Sequence, residues 1–594
     1  MMRETEVFST DSRRSGPEVG RPPAPYWANL WETPPSPFRA LVIGAILAAW
    51  LTWPTIGRPA TTARFDTGDG RLSVWNVAWV AHALISDPRH LFDANIFHPH
   101  EKTLAYSEAN LVAGAMAVPV YAITRNPVAA HNSVVYAAMV LSFFAMWALV
   151  RRLTGDDAAA LVSATAFTFA PFVAARTAHI QLLMIFVFPV VMLAWHRFLD
   201  MPGVRRGIVL GLSLVLAALA CGYYGIFAGL AVGLAAVWFG WHRRRLVRYW
   251  VGLLAAVVVA VGLVAPVLQP YLELRDRAGV RQSADVEELR RYSADWRAYL
   301  TSPSRTHEWI HERIGLGREV LFPGFTLTAL MLVGLAAIRR SGSADLKVGA
   351  ASDASRTDTD PVGRATSVNV LFYALLGVLA VWASFGPDAG LYTWLDGALP
   401  IMSFLRAPAR LGIVVVFAMA VVAGFVLARL LPQRRRSALA LVLTLIVAVD
   451  VSAAPWPLVP VPRLPAAYVR LQQLPRAPVV ELHFPYRSGE LYPHTTYMFW
   501  SAWHWHPLVN GYSDFIPADF RKIAGPINGF PDPTSLEIMR VRDVRYVLIH
   551  WNTYDDAGRV EMRNRFGPYT DSIRLLLDDG EVSLYEIVSY PPRR

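Results

Sequence analysis

Residues 65–110 read FDTGDGRLSVWNVAWVAHALISDPRHLFDANIFHPHEKTLAYSEAN. Asp66, Asp69, Asp87, Asp93, Glu101 and Glu108 stand there among Trp75, Trp79, Phe92, Phe97 and Tyr106. A carboxylate in such a setting can take the proton of a hydroxyl as that hydroxyl attacks an electrophile. Asp69 lies between Gly68 and Gly70, which permit a tight backbone. It equally suits the cap of a helix starting at 71–73. In the run that follows, Leu72, Trp75, Trp79 and Val80 are expected to rest on a membrane surface.

A membrane is implied by the rest of the chain. The 594 residues are 54% hydrophobic and only 17% charged, with a mean hydropathy of +0.33. Soluble domains carry about 25% charged residues. Apolar runs near the length of a bilayer crossing recur at 38–55, 130–150, 156–174, 179–199, 206–220, 222–240, 248–268, 320–338, 367–385, 411–431 and 437–455. The formal net charge of +11 does not argue for a nucleic-acid partner, because cytoplasmic loops of membrane proteins are rich in Lys and Arg. Lysine occurs only at Lys102, Lys347 and Lys522, so a lone arginine says little. Cys221 is the only cysteine, which excludes disulfides and thiolate clusters within the chain.

The basic loops set an orientation. Arg151 and Arg152, Arg197 with Arg205 and Arg206, the 243–248 cluster, Arg339 and Arg340, and 434–436 are all placed inside. Both ends of 111–124, which contains Pro119, then fall outside, so this segment is read as a re-entrant or interfacial helix. The expectation is an α-helical polytopic membrane protein of about 11 spans covering 37–455. Residues 1–36 form a disordered cytoplasmic tail. The outer loops are 56–129 and 269–319, and 341–366 is a flexible inner linker. Apolar runs at 478–484 and 544–550, with a pair flanking Asp578, Asp579 and Gly580, read as strands of a small extracytoplasmic α/β domain over 456–594.

Four stretches carry a resemblance: GDGRLSVWNVAWVAHALISDPRHLFDANIFHP, LVRRLTGDDAAALVSATAFTFAPFVAARTAHIQLL, REVLFPG and LPIMSFLRAPARLG. With the order of spans and long outer loops, they resemble the GT-C superfamily of membrane glycosyltransferases, which includes protein O-mannosyltransferases and lipid A aminoarabinose transferases. The similarity is to its uncharacterised bacterial branch and covers most of 38–430. It implies transfer of a sugar from a polyprenyl-phosphate donor to a glycan, lipid or protein acceptor, on the outer face of a bacterial inner membrane. It also implies an acidic catalytic base in the first outer loop, at the position of Asp69. The family often has two adjacent acids where this chain has Asp66-Thr67-Gly68-Asp69, so the base lies between Asp69 and Asp66. This arrangement gives no DxD motif, and neither a divalent metal nor another cofactor is indicated.

Other residues carry two readings each. Glu108 and Asn110 can hold sugar hydroxyls or pair with a helix dipole. His179, in RTAHIQ, can bind the phosphate, orient the base, or anchor the chain at the interface. Arg281 belongs to a basic run with Arg275, Arg277, Arg290 and Arg291, which suits a lid over a lipid phosphate or a helix resting on anionic headgroups. Arg406 opens a span with Arg410 close by and is the preferred phosphate ligand, with snorkelling as the alternative. The HPH at 98–100 is ill-spaced for a metal and reads as loop packing. YMFWSAWHWHP at 497–507 can stack on sugars or sit in an interface belt. The rival function is a non-enzymatic transporter of lipid-linked saccharide or an assembly scaffold. Transporters tend to carry ionisable residues within their spans, and these spans are nearly free of them. The orientation predicts that single cysteines at Asn110 and at Arg125, in a Cys221→Ala background, both label with an impermeant reagent from outside. Labelling of only one breaks the 11-span arrangement.

Overall fold

The computed structural model describes residues 37–278, 286–334, 361–486 and 491–592. The 1–36 tail, most of the 341–366 linker and Arg281 lie outside the described residues. Helices α1 (Pro37–Leu51), α2 (Gly68–Ser86), α3 (Leu111–Thr124), α4 (Pro127–Thr154), α5 (Asp157–Thr168) and α6 (Pro171–Ala174) come first. They are followed by α7 (Val187–Asp200), α8 (Val204–Ala220), α9 (Gly222–Gly240) and α10 (Val247–Ala278). Short helices α11 (Val286–Arg291) and α12 (Glu308–Ile314) and the apolar α13 (Phe325–Gly334) lead to α14 (Pro361–Ser384), α15 (Leu391–Ala398), α16 (Gly412–Leu430) and α17 (Arg436–Asp450).

Among the described residues, six helical segments are long and apolar enough to cross a membrane: Pro127–Thr154, Asp157–Ala174, Gly222–Gly240, Val247–Asp276, Ser367–Ser384 and Pro408–Leu430. The apolar outer face of α10, with Val251, Leu254, Val257, Val258 and Val261 exposed, suits lipid rather than water. The expected count of 11 is matched only in part among the described residues. The span expected at 179–199 begins as turns and a 3₁₀ segment, and its helix starts at Val187. Helices α1, α7, α8 and α17 have 15, 14, 17 and 15 residues, below the usual crossing length. Helix α3, expected not to cross, is also short, with 14 residues or about 21 Å, which does not set it apart from α7. Close packing of α8 on α10 requires small residues. A Cβ on Gly207 would stand 2.0 Å from the carbonyl oxygen of Gly252.

The connection between α10 and α13 is pinned by a buried triangle of side chains. His307, fully buried, meets Ser302 Oγ through Nδ1 at 2.7 Å and Asp450 Oδ1 through Nε2 at 2.8 Å. Asp450 also accepts the Thr326 amide at 2.7 Å and the Phe325 amide at 3.3 Å. The last residue of α17 thereby caps α13 and holds the loop before it.

The C-terminal part forms a sheet in the order β3-β4-β6-β5 from β3 (Val479–Leu482), β4 (Tyr546–His550), β5 (Ile573–Asp578) and β6 (Val582–Ile587). Strands β3 and β4 are parallel, and the other two pairings are antiparallel. These are the strands read from the sequence. Two further strands, β1 (Thr62–Ala63) and β2 (Val459–Pro460), pair antiparallel and tie this lobe to the first loop. Leu508 and Asn510 exchange backbone hydrogen bonds with residues 95–98.

The surface position expected for α2 is corrected. Val74, Trp75, Val77, Ala78, Trp79 and Val80 are all buried, because α3, α4 and α19 (His494–Ser501) cover the helix. YMFWSAWHWHP is the other half of that contact. Phe65 meets Phe499 edge-on at 5.0 Å and Trp500 at 5.7 Å, so these aromatic rings are core. Asn110 is buried as well, which moves the outer labelling position to exposed Glu101.

Asp450→Ala strands a buried histidine and two amide donors. It should destabilise the fold by about 3–5 kcal/mol, read as a fall in melting temperature in detergent. Asp450→Asn, which retains an acceptor, should cost less.

Candidate active site

Two carboxylates open α2, and they differ in how far they are committed. Asp66 is held by Arg64, whose Nε reaches Oδ1 at 3.0 Å and Nη2 reaches Oδ2 at 3.2 Å. Arg64 itself is fixed by Thr177 Oγ1 at 2.6 Å. The N-cap role belongs to Thr67, whose hydroxyl accepts the Gly70 amide at 3.1 Å. Gly70 allows this turn, since a Cβ there would lie 2.1 Å from the Arg64 carbonyl oxygen. Asp69 is left with a single ion-pair contact among the described residues, His179 Nε2 at 3.5 Å, and its side chain is 41% exposed.

His179 follows α6 in the connection to α7. Burial lowers its pKa from 6.5 to about 4; nearby Asp69 opposes this, while Arg410, Arg176 and Arg406 reinforce it. The imidazole is therefore neutral at pH 7, and the charges of three guanidiniums act on it. Arg176 is paired with Glu319 at 2.6 Å and lies over the Phe172 ring at 4.7 Å. Arg406 is paired with Asp514 of the C-terminal lobe at 2.8 Å. Its backbone N–H donates to Tyr223 Oη at 3.1 Å. Arg410 stacks on the Tyr223 ring at 4.2 Å, and among the described residues no carboxylate pairs with it.

Glu108 is brought to the same basin, although its carboxylate already has a partner. Its Oε1 accepts the Gly222 amide at 2.5 Å, at the start of α9. Burial raises its pKa, while the Gly222 N–H and Arg410 act in the opposite direction. The dipole alternative thus applies to Glu108, with α9 rather than α3 as the helix. Asn110 does not reach the basin. It is 6% exposed, adopts a φ of +52° ahead of α3, and donates to the Glu108 carbonyl oxygen at 3.4 Å.

Arg290 pairs with Asp388 at 3.0 Å and Arg291 lies over Tyr292 at 6.0 Å, so these members of the basic run engage outer connections. The HPH segment is structural in part, with His100 paired to Asp519 at 2.8 Å. Among the described residues no three His, Cys, Asp or Glu side chains converge as metal ligands. Sequence reasoning missed Arg176 and Asp514. Arg176 is visible three residues before His179, whereas nothing local marks Asp514.

Residues 41–452 match the family described as Domain of unknown function (DUF6311). The chain belongs to that family. No curated protein matches it. Among solved structures, the arabinofuranosyltransferase AftD from Mycobacteria is similar over 93% of this chain and 40% of its own, with 13% identity and a TM-score of 0.51. This chain thus spans about two-fifths of AftD's length. The oligosaccharyltransferase of Archaeoglobus fulgidus matches over 86% of this chain and 68% of its own, with 13% identity and a TM-score of 0.44. ArnT from Cupriavidus metallidurans matches over 96% and 99%, with 14% identity and a TM-score of 0.40. This DUF6311 chain has a GT-C-type fold.

The depressed His179 pKa has a pH signature. Between pH 6.5 and about 4 the unfolded imidazole binds a proton that the folded one refuses, so stability falls as pH falls through that window. His179→Gln should remove part of this loss, read as a smaller drop in melting temperature from pH 7 to pH 5.

Proposed function

We propose that this chain is a glycosyltransferase of the bacterial inner membrane, with its N-terminus cytoplasmic and its C-terminal lobe outside. It transfers a sugar from a polyprenyl-phosphate donor to the hydroxyl of an extracytoplasmic acceptor. The observation that carries this reading is the Asp69 carboxylate 3.5 Å from a neutral His179, on which the guanidinium of Arg410 also acts, with neither Asp69 nor Arg410 in a carboxylate–guanidinium pair among the described residues. Support for the reaction class comes from the GT-C-type fold and from the arabinofuranosyltransferase among its structural relatives.

In this mechanism the acceptor oxygen attacks the anomeric carbon, and the bond from that carbon to the phosphate oxygen breaks. Asp69 takes the hydroxyl proton. The polyprenyl phosphate leaves as an anion, stabilised by Arg410 and Arg406. His179 positions the Asp69 carboxylate. Glu108, held by the Gly222 amide, orients the sugar through its remaining acceptor positions. Asp66 keeps Arg64 and the turn in place.

Asp69→Asn retains size but cannot accept the proton. It should bind the lipid donor and transfer labelled sugar in reconstituted vesicles at least about a hundredfold more slowly, roughly 2.7 kcal/mol of barrier. Asp66→Asn should do less. Arg410→Ala should weaken donor binding more than Arg406→Ala, because Arg406 is already neutralised by Asp514. Normal turnover by both aspartate variants removes the catalytic centre from the first loop. A wild-type protein that binds lipid-linked sugar and never consumes it favours the transporter or scaffold.

A further inference from the structure

The C-terminal lobe brings two tyrosines to the residue that precedes the proposed base. Tyr492, just ahead of α19, packs on Gly68. A Cβ on Gly68 would stand 2.2 Å from Tyr492 Cδ1, so only glycine lets the ring approach here. Tyr512 lies beside it, with ring centroids 5.0 Å apart and planes at 31°. Burial raises the pKa of Tyr512, with the neighbouring Tyr492 hydroxyl and the charges of Asp69 and Asp514 adding to the rise. Tyr492 thus sits against the residue next to Asp69, and Tyr512 stands two residues before Asp514. Tyr492 nevertheless remains 47% exposed, unlike the neighbouring Tyr497, Phe499 and Trp500, which are buried.

An exposed tyrosine packed on a half-buried one, with carboxylates close in the chain, has the chemistry of a carbohydrate subsite. The apolar C–H face of a sugar packs on the ring while its hydroxyls reach the acids. We propose that Tyr492 and Tyr512 form the acceptor subsite and that the acceptor is itself a carbohydrate. This rests on the reading of Asp69 as the base. One acceptor hydroxyl is directed to Asp69, which takes its proton as the new glycosidic bond forms and polyprenyl phosphate departs. Asp514 receives a neighbouring hydroxyl. A phosphatidylglycerol headgroup or an acyclic peptide side chain presents no rigid ring of C–H bonds to such a pair.

The test is equilibrium binding by the full-length protein in nanodiscs, with no turnover required. The probes are an array of bacterial cell-envelope oligosaccharides (arabinan, galactan, mannan and rhamnan fragments), a random peptide library, phosphatidylglycerol vesicles and farnesyl phosphate. Wild type should retain an oligosaccharide. Tyr492→Ala and Tyr512→Ala should each weaken that binding about tenfold, the loss of one aromatic contact. Tyr492→Phe should hold it within about twofold, which controls for folding. Farnesyl phosphate affinity should be the same in all of them, since a merely structural tyrosine would disturb the basin as a whole. Asp69→Asn should still bind the oligosaccharide, which separates this subsite from the catalytic reading. The proposal is overturned if wild type retains no oligosaccharide, if the alanine variants bind it normally, if farnesyl phosphate binding falls with it, or if tyrosine-dependent binding is to peptide or vesicles.

Discussion

The seam between the first long connection and the C-terminal lobe is the contact on which the basin depends. It is built from backbone hydrogen bonds of 95–98 with Leu508 and Asn510, from the pairing of β1 with β2, and from Phe65 set against Phe499 and Trp500. Asn95 is central to it, accepting from Trp75 Nε1 at 3.0 Å and donating to Ser501 Oγ and the His506 carbonyl oxygen. Arg71 completes the seam. Its Nε donates to Thr495 Oγ1 at 3.0 Å and its Nη1 to the Phe65 carbonyl oxygen at 2.6 Å, one turn into α2. Buried polar groups with satisfied partners rigidify what they join. The start of α2, and Asp69 with it, is therefore held from the far end of the sequence.

Charge in the basin is distributed unevenly, and the unevenness is informative. Arg64 is cancelled by Asp66, Arg176 by Glu319 and Arg406 by Asp514, each acid coming from a different connection or lobe. Among the described residues, Asp69, Arg410 and the amide-bound Glu108 remain outside any carboxylate–guanidinium pair. A site devoted only to stability would bring these together, because an ion pair left unmade in a partly buried setting forgoes favourable Coulomb energy. Instead Asp69 meets a neutral imidazole and Arg410 a tyrosine ring. Such an arrangement suits a ligand that carries both a hydroxyl to deprotonate and an anion to hold.

The sequence made some of this legible and hid the rest for physical reasons. Strands β3 to β6 were readable because short apolar runs bounded by turn residues, such as that at Gly580 with φ +87°, are local signals. The pairing of Asp69 with His179 was only half readable. Both residues stood in outer connections, but nothing local sets a distance across 110 positions. Helix α2 was misread because a tryptophan-rich helix looks the same on a bilayer as beneath a second lobe, and only α19 decides between them. The span at 179–199 was misjudged because Arg176, Thr177 and His179 need polar partners. They find them in Glu319, Arg64 and Asp69, which keeps the backbone there out of helix until Val187.

The cap of α2 links these points. A helix N-terminus has unpaired amides and favours an acid to accept them. Had Asp66 or Asp69 served as the cap, its carboxylate would be tied to the backbone and poor at accepting a proton. Thr67 takes that role with an uncharged oxygen, and Arg64 takes Asp66. Asp69 still benefits from the helix dipole, in the first turn of α2, without losing its lone pairs to it. The order Asp66-Thr67-Gly68-Asp69, which departs from two adjacent acids, thus divides the labour. One acid fastens the turn, a hydroxyl caps the helix, a glycine admits a tyrosine from the other lobe, and the last acid is left open to the basin.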